Sequence, residues 1–226
     1  MPPEPSLAGV AAAPAPGPLE RLLRFARASV EATFTPLRFL RRWEAEPARY
    51  PDASELLALN AALVALATWL AHEFLDPAGG PSTLGVVAGT SRWAGRLAGG
   101  LEAIVPATFV YAQVVSTWLA GRALAGRADW APARRIAAFL SAMYLPVTVA
   151  SLLVVFAWPG STAPIAAASL AVDLGYGALG FAVVHGLRAG RASGASALTV
   201  LATLLFQGLF FALAGAAIGF VAVAAP

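Results

Sequence analysis

Two apolar runs of 23 residues, Ile136–Trp158 and Ile165–Leu187, follow one another with only the uncharged turn PGSTAP between them. Arginines flank the pair on one side: Arg134 and Arg135 before it, Arg188 and Arg191 after it. About 20 apolar residues cross the roughly 30 Å hydrocarbon core of a bilayer. Arginine marks the cytoplasmic side of a span. The pattern therefore predicts a transmembrane hairpin with both ends inside. A backbone crossing lipid must satisfy its own polar groups, so the solutions open to such a chain are helical.

The rest of the chain extends that pattern. Leu56–Leu75, Leu101–Leu119 and Ala197–Val223 supply three further apolar runs. The expected fold is all-α: a polytopic membrane bundle of five transmembrane helices over 54–226, at about 56–75, 101–119, 136–158, 165–187 and 197–223. Only 12% of residues are charged and the mean hydropathy is +0.73, whereas about 25% is usual for a soluble domain. Every basic residue is Arg. Seven precede the first run, four lie in 120–135 and two in 188–196, against Arg92 and Arg96 alone in 76–100. This bias predicts an inner-membrane, multi-pass protein with a cytoplasmic N-terminus and the C-terminus outside. The loop 76–100 leaves room for a re-entrant segment or a short interfacial helix around Trp93.

Residues 1–17 are rich in Pro and Ala and are expected to be disordered. No cleavable signal peptide is expected, because the first long apolar run starts only after Glu55. Residues 18–53 form a cytoplasmic amphipathic segment. Pro18 suits a first helical turn. Leu19, Leu22, Leu23, Ala26 and Val30 fall on one helical face. A second short helix follows Pro36, with Leu37, Phe39, Leu40 and Trp43. Arg21, Arg24, Arg27, Arg38, Arg41 and Arg42 accompany these faces as candidate contacts to an anionic membrane surface, with Trp43 at headgroup depth. Packing of the same helices on the cytoplasmic ends of the spans is equally open. A Pro-broken loop, 44–53, leads into the first run.

Candidate sites are few. The absence of Cys excludes disulfides and thiol chemistry. His72 and His185 sit at opposite ends of their spans, about 30 Å apart, and cannot share an ion. His72 and Asp76 are spaced i, i+4, but an interfacial stop signal explains them better. Asp173 and His185 are twelve residues apart, about 18 Å along a helix, too far for a hydrolase pair. No GxSxG or Walker loop occurs. No cofactor, metal or nucleic-acid site is expected, and the chain reads as non-enzymatic; the pI of 9.9 reflects topogenic arginine. The firm intramembrane ionisable group is Asp173, which should face the bundle and find a polar partner. Ser169 at i−4 and Tyr176 at i+3 share its neighbourhood. By depth, Tyr111 and Gln113, Tyr144 and Gln207 could join a cluster. Gly215 and Gly219 form a GxxxG, and Gly175 and Gly177 make the fourth run small-sided, so these four are candidate helix-packing positions, within the chain or in a homo-oligomer. Pro146 should kink its helix, with Ser141 helping to satisfy a freed carbonyl.

The layout resembles the Yip domain (Ypt-interacting protein) family, over about residues 35–224. TPLRFLRRW at 35–43 looks like its Pro-plus-aromatic segment ahead of the first span. WLAGRALAGRADW at 118–130 resembles its Gly-containing loop after span two, and FLSAMYLP at 139–146 its Tyr-then-Pro pattern. The short Pro/Gly turn at 159–164 fits as well. The acidic segment of the eukaryotic members is missing, which speaks against Rab-type GTPase binding. The resemblance implies an integral membrane scaffold with the bilayer, anionic lipid or another membrane protein as partner. A small transporter or permease subunit with a polar core around Asp173 is the alternative, and a lipid-modifying enzyme the third.

Overall fold

The computed structural model describes residues 16–43, 45–46, 48–75, 92–126, 129–158 and 161–224. These residues form seven helices: α1 (Pro18–Phe34), α2 (Pro36–Arg42), α3 (Ala53–Leu75), α4 (Arg92–Ala125), α5 (Trp130–Ala157), α6 (Thr162–His185) and α7 (Ala189–Ala224). No strand occurs among them.

Local chemistry sets the boundaries. Pro18 and Pro36 open α1 and α2, where a missing N–H costs nothing. Asp52 caps α3: its Oδ1 accepts from the amides of Ser54 at 2.7 Å and Glu55 at 2.9 Å. Gly186, at φ 66°, ends α6 in the left-handed conformation, and the chain re-enters a helix at Ala189.

Several expected loops are helical instead. Residues 92–100 are the first turns of the 34-residue α4, not a separate interfacial helix. Residues 189–196 are the first turns of α7. The expected loop 120–135 shrinks to the few residues between Ala125 and Trp130. Ala, Gly and Arg are compatible with helix, and apolarity alone marks only the part of a helix that sits in an apolar medium. Gly17 caps α1, inside the expected tail; residues 1–15 and 76–91, Asp76 among them, and the side chains of His72 and Glu73 lie outside the described residues.

The helices pack side by side, α3 on α4 and α5, α4 on α5 and α7, and α6 on α5 and α7. α1 lies on α5, and α2 touches α6. The Arg135 guanidinium donates to the carbonyl of Leu40 at 3.0 Å, near the C-terminal end of α2, where a cation is favoured. Leu124 and Gly194 approach at the junction of α4 and α7. The arginine-bearing ends of α4 through α7 thus gather with α1 and α2 at one end of the bundle.

The core is concentrated at that end. Trp43 stacks on Phe39 (5.2 Å), Phe39 on Phe139 (6.2 Å) and Phe139 on Tyr176 (5.9 Å), an aromatic column through α2, α5 and α6. Trp43 is only 5% exposed and donates its Nε1–H to the carbonyl of Pro51 at 2.7 Å. It does not sit free at headgroup depth: the 44–53 loop folds back and buries it. Glu31 receives Arg49 at 2.7 Å and the Tyr50 hydroxyl at 2.5 Å. Burial pushes the Glu31 carboxyl up, but these two bonds and the arginine charges outweigh it, so it lies below its ordinary value. Burial and the bond to Glu31 raise Tyr50.

Toward the opposite end, apolar side chains turn outward: Leu153, Val154, Leu205, Leu209, Leu213 and Phe220 are all exposed. Among the described residues, two helices are long and apolar enough to cross a membrane, Ala163–His185 with 23 residues and Ala189–Ala217 with 29.

Candidate functional site

Asp173 lies midway along α6, where its carboxylate meets a polar side chain. The Tyr144 hydroxyl of α5 donates to its Oδ2 at 2.9 Å. Gln113 of α4 faces the same space. The Tyr144–Asp173 bond joins α5 to α6, with Gln113 beside it on α4. The Tyr144 ring is held in place edge-on to Phe109 at 5.8 Å.

These groups line a cavity of about 180 Å³ between α4, α5, α6 and α7. Ser169, one turn before Asp173, lines it as expected. The fourth wall is α7, through Ser196, Thr199 and Thr203. Sequence reading passed over these three because Ser196 fell in an expected loop. Their spacing of three, then four, places them on one helical face, and that signal was present. Ser196 donates to the carbonyl of Leu174 at 2.9 Å, Thr199 to Ala195 at 2.9 Å and Thr203 to Thr199 at 2.8 Å.

Three expected members stand elsewhere. Tyr176 reaches the opposite way and donates to the carbonyl of Thr33, tying α6 to the end of α1. Three residues of α-helix turn a side chain about 60° away from its predecessor, and a long phenol amplifies the divergence. Tyr111 is 58% exposed on the outer face of α4; Gln113, two positions on, points inward instead. Gln207 lines a separate cavity with Phe206, Phe210 and Thr108. Depth alone placed these residues at one level without fixing which way they face.

Of the small residues, Gly177 works as a packing position. A Cβ there would stand 2.2 Å from Ser196 Oγ, so Gly177 is what lets α7 approach. Gly175 and Gly215 have nothing within 4 Å of an added Cβ and make no close approach within this chain. The surroundings of Gly219 lie outside the described residues. α5 continues through Pro146, and the buried Ser141 hydroxyl finds no hydrogen-bond partner among the described residues, so it does not serve the freed carbonyl.

The six N-terminal arginines divide. Arg27, Arg38 and Arg41 are exposed. Arg24 donates to the carbonyl of Tyr50, Arg42 stands 3.8 Å from Glu46 and Arg21 3.8 Å from Glu55. The face of α1 that carries Leu19, Leu22, Leu23 and Val30, for which membrane contact and packing were both open, is exposed, Leu23 at 62%. Phe25, Ala28, Ser29 and Ala32 make the buried face. Small Ala and Ser at 28, 29 and 32 allow close packing on α5. α1 therefore has two apolar sides, one against protein and one free. A comparison with protein-family models, curated proteins and solved structures finds no match to the chain.

Proposed function

We propose that the chain is a non-enzymatic integral membrane scaffold of the Yip-domain type. In this reading α3 to α7 are five spans of the inner membrane, the N-terminus is cytoplasmic and the C-terminus is outside. The α1–α2 pair is a platform on the cytoplasmic surface that meets anionic lipid or a membrane-protein partner. The observation that carries the reading is the double-sided α1. Its inner face is fixed on the bundle, while Leu19, Leu22, Leu23 and Val30 remain uncovered beside the exposed Arg27. An exposed apolar stripe rimmed by cations suits the interface of an anionic membrane. Each such cation near the surface adds about 1 kcal/mol. The outward leucines and phenylalanine of α5 and α7 support the spanning part, since monomers in water rarely expose so contiguous an apolar belt.

The test is labelling of single cysteines on the Cys-free chain. Ala163→Cys should react with a membrane-impermeant maleimide from outside intact cells, and Ser193→Cys only after permeabilisation. Ser161 is unsuitable, being 2% exposed. The opposite labelling pattern overturns the topology. In native membranes, Leu23→Asp with Val30→Asp should leave insertion intact and strip co-purifying lipid or protein; unchanged co-purification overturns the platform.

A second reading, a small transporter or permease subunit, is supported by the polar cavity at Asp173. Asp173→Asn keeps size and hydrogen bonding and cannot ionise. Normal folding with loss of uptake would favour transport.

A further inference from the structure

The cavity at Asp173 has a hydrogen-bonding polarity that identifies what it can hold. Tyr144 has one proton and gives it to Asp173. Gln113 lines the same cavity, and its amide Oε1 is an acceptor only. That oxygen is buried with no hydrogen-bond partner among the described residues, on a side chain only 4% exposed. The hydroxyl protons of Ser196, Thr199 and Thr203 are all donated to backbone carbonyls. What these groups offer inward is lone pairs. A wall of acceptors around a carboxylate rejects anions and takes a donor.

We propose that this cavity binds the ammonium head of a small primary amine, with Asp173 and Gln113 as its principal acceptors. An ammonium has three donors and no acceptor, which matches the set. One carboxylate balances one positive charge. The volume of about 180 Å³ exceeds what a bare ion needs; a cavity of about 150 Å³ already admits benzene. The remaining wall is apolar, from Phe109, Leu140, Val200 and Leu204, and takes a short hydrocarbon tail. The inference names a ligand class for the transporter reading and does not depend on the scaffold reading.

The experiment uses the full chain in detergent micelles and n-butylammonium chloride as probe, against sodium chloride and 1-butanol at the same concentrations. A ligand bound to the folded state raises the melting temperature saturably. Butylammonium should do so, and the two controls should not. Asp173→Asn should weaken the response at least tenfold. Thr203→Val, which keeps shape and removes one acceptor, should weaken it severalfold. Equilibrium dialysis of radiolabelled butylammonium on the wild type and Thr203→Val gives the same answer should Asp173→Asn not fold. An equal response to sodium assigns the site to a bare ion, and an equal response to butanol assigns it to apolar binding. Either result, an unchanged Asp173→Asn titration, or no dialysis binding overturns the proposal. Loss of amine binding with normal cysteine labelling leaves the scaffold reading standing, so the two fail separately.

Discussion

Gly175 and Gly177 are two positions apart on α6 and should respond to alanine in opposite directions. An added Cβ at Gly175 meets nothing within 4 Å. Gly175→Ala therefore keeps only the helical advantage of Ala over Gly, about 1 kcal/mol at most. At Gly177 the same methyl would stand 2.2 Å from Ser196 Oγ and 3.1 Å from Ser196 Cβ. Real carbon atoms do not approach so closely, so Ser196 must rotate or α7 must withdraw. Rotation breaks the 2.9 Å bond to Leu174, worth about 1 kcal/mol. Withdrawal loosens the α6–α7 seam, and overpacking of this kind costs about 1–3 kcal/mol. Gly177→Ala should thus be net destabilising by about 1–2 kcal/mol after the helical gain is set against it. In a chain of this size that is a fall of about 2–8 °C in melting temperature. The assay is thermal unfolding in one detergent of wild type, both single variants, Ser196→Ala and Gly177→Ala/Ser196→Ala. Removing Oγ takes away the closest contact, so the double variant should cost less than the sum of the singles. Strict additivity, or a neutral Gly177→Ala, would refute the claim that the Ser196 hydroxyl is seated on this glycine.

Two further outcomes concern the N-terminal helices. Glu31 lies below its ordinary carboxylate value because Tyr50 and Arg49 bond its charged form against the opposing effect of burial. A depressed carboxylate stabilises the folded state above its unfolded value and loses that contribution as pH falls through the lowered one. Hydrogen-exchange protection of residues 18–50, corrected for the intrinsic rate at each pH, should therefore fall on acidification below about pH 4, the ordinary range for Glu, and Glu31→Gln should flatten that acid limb; the same limb in both proteins would exclude Glu31 as its cause. Trp43→Ala should cost about 3–5 kcal/mol as a buried aromatic deletion, and Trp43→Phe about 1 kcal/mol for the lost bond to Pro51. Near-zero loss in Trp43→Ala unfolding would return Trp43 to the membrane interface.

The helical class and the extent of α1 were legible because proline and amphipathic period act locally. The lengths of α4 and α7 were not. Hydropathy reports only the apolar part of a helix, whereas α4 at 34 residues runs about 51 Å. Its polar ends continue by backbone bonding that needs no apolar side chain. Which face of α1 meets the bundle was left open for a related reason. Periodicity finds the face with large apolar residues, and in water that face is buried. Here Ala28, Ser29 and Ala32 are buried because they are small enough for α5 to approach, while the leucines point away.

The site was legible where a cost forced the answer and illegible where only direction mattered. A carboxylate in an apolar helix must be answered, so the sequence points to a polar partner for Asp173 without choosing Tyr144 among the candidates. Tyr111, Tyr176 and Gln207 carry no comparable penalty. A phenol or amide can turn outward or bond a local carbonyl, as Tyr176 does with Thr33. Ser196, Thr199 and Thr203 were hidden because Ser196 fell in an expected loop, and in the structure each gives its proton to a backbone carbonyl. That donation decides the character of the cavity. Were Thr199 and Thr203 to point their protons inward, the wall would hold donors and acceptors in balance and would suit water or a neutral solute. Bonded back to Ala195 and Thr199, they leave Asp173 among acceptors, and a cationic donor is the group that completes it.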